Sequence, residues 1–123
     1  MKTKEDSFFL EHMLESIENI REFTKTIQKE EFFKNKEKQS AVIRQIEILG
    51  EAAKNLSEKT IFENPLIPWK ELIGARDKII HHYFGVDLEI IWEIIKTNLP
   101  DLETKLIPII EKMKKAKAQE LKV

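Results

Sequence analysis

The stretch Ala41-Val42-Ile43-Arg44-Gln45-Ile46-Glu47-Ile48-Leu49-Gly50-Glu51-Ala52-Ala53-Lys54-Asn55-Leu56 decides the fold class. Val42, Ile46, Leu49, Ala53 and Leu56 recur at steps of four and three. That is the spacing of one helical face, not the alternation of a strand. Ala41, Ile48 and Ala52 flank the seam, and a helix from about Lys38 to Leu56 is expected. Gly50, Ala52 and Ala53 are small enough for another helix or a partner subunit to come close. Glu47 and Glu51 read as solvated charges, although Glu51 stands among those small residues.

The same periodicity extends outward. On the N-terminal side a helix is expected from Asp6 or Ser7 to about Gln28, with Leu10, Met13, Ile17, Ile20, Thr24 and Ile27 in its apolar stripe. Phe9, Leu14 and Phe23 widen the stripe, and Glu11, Glu15, Glu18 and Glu22 take the opposite face. His12 lies beside it and reads as a surface or boundary histidine. Glu30 to Asn35 forms a link pinned to the core by Phe32 and Phe33. On the C-terminal side, residues 57–68 form the loosest region, because Asn64-Pro65 and Ile67-Pro68 cannot sit inside a regular helix. Pro68 suits the first turn of a third helix, Trp69 to about Phe84. Gly85 can close it in a left-handed cap, and Asp87 can cap a fourth helix running from Leu88 to about Asn98. Leu88, Ile90, Ile91, Trp92, Ile94 and Ile95 make that helix apolar on most sides, which places it in the core or against another subunit. A fifth helix begins at Pro100, and Pro108 should kink it. Lysines crowd residues 112–122, which read as a frayed, solvated end.

Composition agrees with an all-α chain of about five helices in one domain spanning residues 1–123. Three glycines and four prolines leave few turns for hairpins, while Glu, Lys, Leu and Ile are good helix formers. A net charge of −1 argues against coating nucleic acid by bulk electrostatics, though a local basic cleft remains compatible with it. The lack of cysteine rules out disulfides and thiolate metal sites and fits a reducing compartment. The N-terminus lacks the apolar run of a signal peptide, and no apolar window approaches the ~20 residues of a membrane span. A cytoplasmic protein is expected.

Gly74 to Gly85 concentrates the scarce residue types: two of the three histidines and the single tyrosine. On a helical wheel Trp69, Leu72, Ile73, Ile79, Ile80, Tyr83 and Phe84 form one apolar face, with Arg76 near its middle. A guanidinium cannot shed its charge, and burying it unpaired is costly. It therefore reaches a carboxylate, a phosphate or a water-filled cleft, and an ion pair with Glu47 or Glu51 is the structural alternative. Asp77 and His81 are four apart and can touch on a helix, so that the carboxylate fixes the imidazole's tautomer. Arg76 and His81 are about 140° apart on that ideal helix, which favours a site completed across a dimer. His81, His82 and His12 make a poor metal site. No phosphate loop and no serine or cysteine nucleophile constellation is present. If the site does chemistry, phosphodiester cleavage suits this inventory best. Arginine would hold the phosphate, histidine would move a proton, and RNA would supply its own 2′-hydroxyl nucleophile without metal or cofactor.

Arg76-Asp77-Lys78-Ile79-Ile80-His81-His82-Tyr83 matches the Arg-x-x-x-x-His-x-Tyr pattern of HepT-like toxins in the HEPN superfamily. Ile48-Leu49-Gly50-Glu51-Ala52-Ala53, Pro68 to Gly74 and His82 to Trp92 resemble that family as well, so the likeness covers nearly the whole chain in order. The resemblance implies a HEPN-type helical bundle that homodimerises with its motifs at the interface. It implies a metal-independent ribonuclease toxin of a type VII-like toxin–antitoxin pair, beside an MntA-like nucleotidyltransferase antitoxin that transfers AMP to the motif tyrosine, here Tyr83. Arg76 and His81 would be catalytic, Asp77 would be the polar residue after the arginine, and Lys78, His82 and Glu51 are supporting candidates. A non-catalytic nucleotide- or nucleotidyltransferase-binding subunit is the alternative.

Overall fold

A computed structural model describes residues 5–81 and 85–121, apart from the side chain of His81. The all-α expectation holds. The order is α1 (Asp6–Thr24), α2 (Lys29–Lys34), α3 (Lys36–Lys54), α4 (Glu58–Glu63), α5 (Trp69–Ile73), α6 (Ala75–Ile79), β1 (Ile80–His81), β2 (Gly85–Val86), α7 (Leu88–Glu93), a π turn (Ile94–Asn98) and α8 (Leu99–Leu121). The two short strands pair antiparallel, Ile80 with Val86 and His81 with Gly85.

The core forms where α1 packs on α3 and on α8. Leu10, Met13, Ile17 and Ile20 of α1 meet Val42, Ile46, Leu49 and Ala53 of α3 in one buried cluster, with Leu102, Leu106 and Ile110 of α8. Fully burying one such aliphatic side chain contributes roughly 1.5–3 kcal/mol, so these three stripes dominate the stability. Thr24 closes α1 four residues earlier than the stripe suggests. Its hydroxyl donates back to the Ile20 carbonyl at 2.7 Å, and Gln28 is already extended before α2. The link at residues 30–35 is itself mostly the short helix α2, and its Phe32 is fully buried 5.5 Å from the Trp92 ring.

The region expected to be loosest contains α4. Ser57 caps it by accepting from the Thr60 amide, and the Asp6 carboxylate accepts from the Ser57 amide, the Ser57 hydroxyl and the Thr60 hydroxyl. One carboxylate at the start of α1 therefore ties down the start of α4, 51 residues away in the chain.

The expected third helix is divided and ends early. Gly74 interrupts it between α5 and α6, and it stops at Ile79 rather than Phe84. Ile80 gives its amide to Arg76 as the last helical bond and then turns extended (φ −105°, ψ 116°). Ile80 is β-branched, and such a side chain favours extended backbone when a partner strand is at hand. Val86 supplies that partner, and the Asp87 amide donates to the Ile79 carbonyl at 2.8 Å. Gly85 does adopt positive φ (78°), but within the hairpin rather than as a helix cap. Asp87 caps α7 as expected, accepting from the Ile90 amide.

The fourth and fifth helices are one continuous run from Leu88 to Leu121, widened by the π turn. Pro100 has no amide to give Lys96, and its ring would press on that carbonyl in a regular α turn. The wide turn just before it, in which the Leu99 amide bonds Ile94, accommodates the proline. Of the apolar residues expected to bury this segment, Ile91 and Ile95 are buried. Leu88, Ile90, Trp92 and Ile94 are half-buried against the core. Among the described residues no helix is long and apolar enough to cross a membrane.

Candidate functional site

Gly50 sets the height of the site. A Cβ at this position would stand 2.8 Å from the Leu72 carbonyl oxygen, so only glycine lets the backbone of α5 lie directly on α3. Trp69 anchors the start of α5, with its ring buried and its indole N–H donating to the Asn64 carbonyl at 3.0 Å. The chain turns at Gly74 and α6 then runs beside α3. This places Arg76 opposite Glu47 of α3.

Arg76 does not sit in the middle of a buried face. Its side chain is 56% exposed, because α6 is a single turn whose buried contact is made by Ile79. Its Nε lies 3.5 Å from Glu47 Oε1, and its Nη1 lies 3.9 Å from Asp77 Oδ1. The partner on α3 is thus Glu47, not Glu51, and Glu47 is more than a solvated surface charge. Glu51 is exposed one turn further on, where its carbonyl accepts from the Asn55 amide group. The helical geometry expected for Asp77 and His81 does not apply, since the helix ends between them. The Asp77 carboxylate is fully in solvent beside Arg76. For the same reason the wheel angle between Arg76 and His81 loses its meaning: His81 is a strand residue. Lys78 is exposed. His82, Tyr83 and Phe84, with the His81 side chain, lie outside the described residues.

Arg76 and Asp77 line an open cleft of about 670 Å³ between α1, α3 and the α5–α6 corner. Arg44, Glu47 and Glu51 of α3 line it as well, together with Phe8 and His12 of α1. The His12 ring lies tilted against Phe8, with centroids 4.4 Å apart, and Phe8 and Ile73 are exposed apolar residues. His12 and Arg44 were not apparent as site residues in the sequence. Their position one helical turn from other lining residues, His12 after Phe8 and Arg44 before Glu47, was the available signal. Among the described residues no group of three or more histidines and carboxylates is arranged to hold a metal ion. Chemically, the cleft offers two guanidinium groups gathered at one carboxylate, a setting suited to an anionic, flexible ligand.

The family model described as Ribonuclease HepT-like matches residues 13–109. A candidate RNase of Methanocaldococcus jannaschii is 46% identical over 101 residues, covering 82% of this chain and 84% of that protein. A probable ribonuclease HepT of Thermococcus cleftensis is 45% identical over 107 residues, covering 87% and 94%. A longer Methanocaldococcus jannaschii protein, named as a gamma-glutamylcyclotransferase and candidate RNase, is 46% identical over 114 residues. The match takes in 93% of this chain and 51% of that protein, so the chain spans about half its length. No solved structure matches. The extent and identity of these matches show that the chain belongs to the HepT-like ribonuclease family.

Proposed function

We propose that this protein is the ribonuclease toxin of a type VII-like toxin–antitoxin pair and cuts RNA without a metal ion. The observation that carries this reading is the exposed Arg76 guanidinium on the wall of an open cleft, five residues before His81, in a chain of ribonuclease kinship. Arg76 binds the scissile phosphodiester and stabilises the charge that grows on its oxygens. The 2′-hydroxyl attacks phosphorus as its proton leaves to a base, the bond to the 5′-oxygen breaks, and that oxygen takes up a proton. The products are a 2′,3′-cyclic phosphate and a 5′-hydroxyl. His81 moves one of these protons, and His82 or a second subunit moves the other. Asp77 orients Arg76, to which it lies close. Tyr83 contacts the RNA and accepts AMP from an MntA-like nucleotidyltransferase, which silences the enzyme. The chain acts as a homodimer of single HEPN domains, in the cytoplasm.

A purely structural Arg76 would be dry and sealed against a carboxylate, and the solvent-open Arg76–Glu47 pair speaks against that alternative. The test is cleavage of total RNA by the purified protein in excess EDTA. Arg76→Ala and His81→Ala are expected to lose at least about a hundredfold in rate, as removal of a charge-stabilising or proton-moving group does, with helical circular dichroism unchanged. Full activity in both variants would refute the assignment and leave a non-catalytic, nucleotidyltransferase-binding subunit as the better reading.

A further inference from the structure

Two arginines from separate segments share one carboxylate on the wall of the cleft. Arg44 Nη1 of α3 lies 3.5 Å from Glu47 Oε2, and Arg76 Nε of α6 lies 3.5 Å from Glu47 Oε1. An Arg–Glu contact three residues apart on one helix is commonplace. A second guanidinium brought from another segment to the other oxygen of the same carboxylate, on a cleft, is not. Asp77 Oδ1 also comes within 3.9 Å of Arg76 Nη1, so the charges here balance, but the Asp77 side chain is 89% exposed and two guanidinium groups remain gathered at one carboxylate.

Both contacts are loose. A charge-assisted hydrogen bond between such groups runs about 2.7–2.9 Å, and the arginine side chains are 69% and 56% exposed. Ion pairs this long and this wet hold their partners weakly. An anion that offers two oxygens to each planar fork displaces the carboxylate, and a phosphodiester is such an anion. Successive phosphates of a single strand present it at two adjacent points.

We propose that Arg44 is a second phosphate-binding residue of the cleft, taking the RNA phosphate next to the one held by Arg76. The proposal rests on the ribonuclease reading above, which puts a phosphate at Arg76. Glu47 is the positioning residue: it holds the two guanidinium groups near each other and gives them up as the strand enters.

The test is binding of a fluorescein-labelled, 2′-O-methyl single-stranded RNA oligonucleotide, measured by anisotropy across a salt series. The 2′-O-methyl groups remove the nucleophile, so binding is read without cleavage. Arg44→Ala is expected to weaken binding about tenfold, the worth of one charge-assisted contact. The slope of log affinity against log salt should also fall by about 0.7, the value for one lost single-strand phosphate. Arg44→Lys keeps the charge, so it should restore the slope while recovering only part of the affinity. An unchanged slope in Arg44→Ala, with or without weaker binding, would overturn the proposal by showing that Arg44 acts through packing or not at all. Arg44→Gln, which keeps the length of the side chain, serves if the alanine variant unfolds. Arg76→Ala assayed for cleavage in parallel separates the two readings. If it is inactive while the Arg44 slope is unchanged, only the second-phosphate proposal fails. If it cleaves at the wild-type rate, the ribonuclease assignment falls and this proposal falls with it.

Discussion

Replacing Gly50 by alanine tests the contact that brings the candidate site together. The added Cβ would meet the Leu72 carbonyl oxygen at 2.8 Å and the Ile73 carbonyl oxygen at 3.5 Å. Ordinary contact begins near 3.4 Å, so α5 must retreat from α3 by several tenths of an ångström. The obstacle is backbone, and the Leu72 carbonyl already accepts from the Gly74 amide, so it cannot swing aside as a side chain would. Overpacking of this kind costs about 1–3 kcal/mol, and the rigid obstacle puts Gly50 in the upper part of that range. Against it stands the gain of about 1 kcal/mol when alanine replaces glycine inside a helix. The net loss is roughly 1–2 kcal/mol, or a Tm lower by about 4–10 °C for a chain of this size.

Gly74→Ala provides the internal control. Its nearest neighbour is the Lys70 carbonyl oxygen at 3.4 Å, and its φ of −92° suits any residue. Both substitutions reduce the entropy of the unfolded chain alike, so the difference between their melting temperatures isolates the clash. Gly74→Ala should melt at or slightly above wild type. Gly50→Ala should melt well below it and should also lose RNA cleavage, because retreat of α5 carries Arg76 away from Glu47. A Gly50→Ala protein as stable as Gly74→Ala would refute the close approach of α5 to α3.

Asp6→Ala removes the acceptor for the Ser57 amide and hydroxyl and for the buried Thr60 hydroxyl. It should lower unfolding free energy in urea by roughly 2–3 kcal/mol. Burial pushes the Asp6 carboxyl up, but its hydrogen bonds from Ser57 and Thr60 outweigh this and hold it below its ordinary 3.8. Because the folded value is the lower one, the contribution is present above pH ~3.8 and is lost as pH falls further. The gap between wild type and Asp6→Ala, followed by urea titration, should therefore narrow below about pH 4, and a gap that widened there would contradict the sign. Phe32→Ala empties a fully buried site against Trp92 and should cost about 3–5 kcal/mol by the same titration; a loss under 1 kcal/mol would show that α2 is not pinned to the core.

The long helices were legible because each buries an unbroken stripe. Leu10, Met13, Ile17 and Ile20 in α1, and Val42, Ile46, Leu49 and Ala53 in α3, are the residues found at the core. The short elements were not, because contacts distant in sequence decide them. Two prolines made residues 57–68 look loose, whereas a capping serine held by Asp6 makes α4 possible. The choice of Glu47 over Glu51 as the partner of Arg76 is of the same kind. The two carboxylates are one turn apart on the same side of α3, and what separates them is where Gly50 lets α5 rest.

Arg76 was conspicuous as a charge on an apolar wheel, but the wheel assumed a helix through Phe84, and α6 ends at Ile79. That early end changes what the spacing between Arg76 and His81 means. Had the helix continued, five residues would advance the chain about 7.5 Å. With three helical steps to Ile79 and two extended steps to His81, the chain can advance about 11 Å. The end point is held by structure rather than by propensity alone, since the Asp87 amide binds the Ile79 carbonyl and Ile80 pairs with Val86. The strand that carries His81 is therefore tied to the start of α7 through Asp87, while Arg76 faces Glu47 of α3. The two candidate catalytic residues belong to different parts of the bundle, although only four residues separate them in the chain. A change in the α7 cap at Asp87 would thus reach the His81 strand first, and a change at Gly50 would reach the α5–α6 corner and Arg76 first.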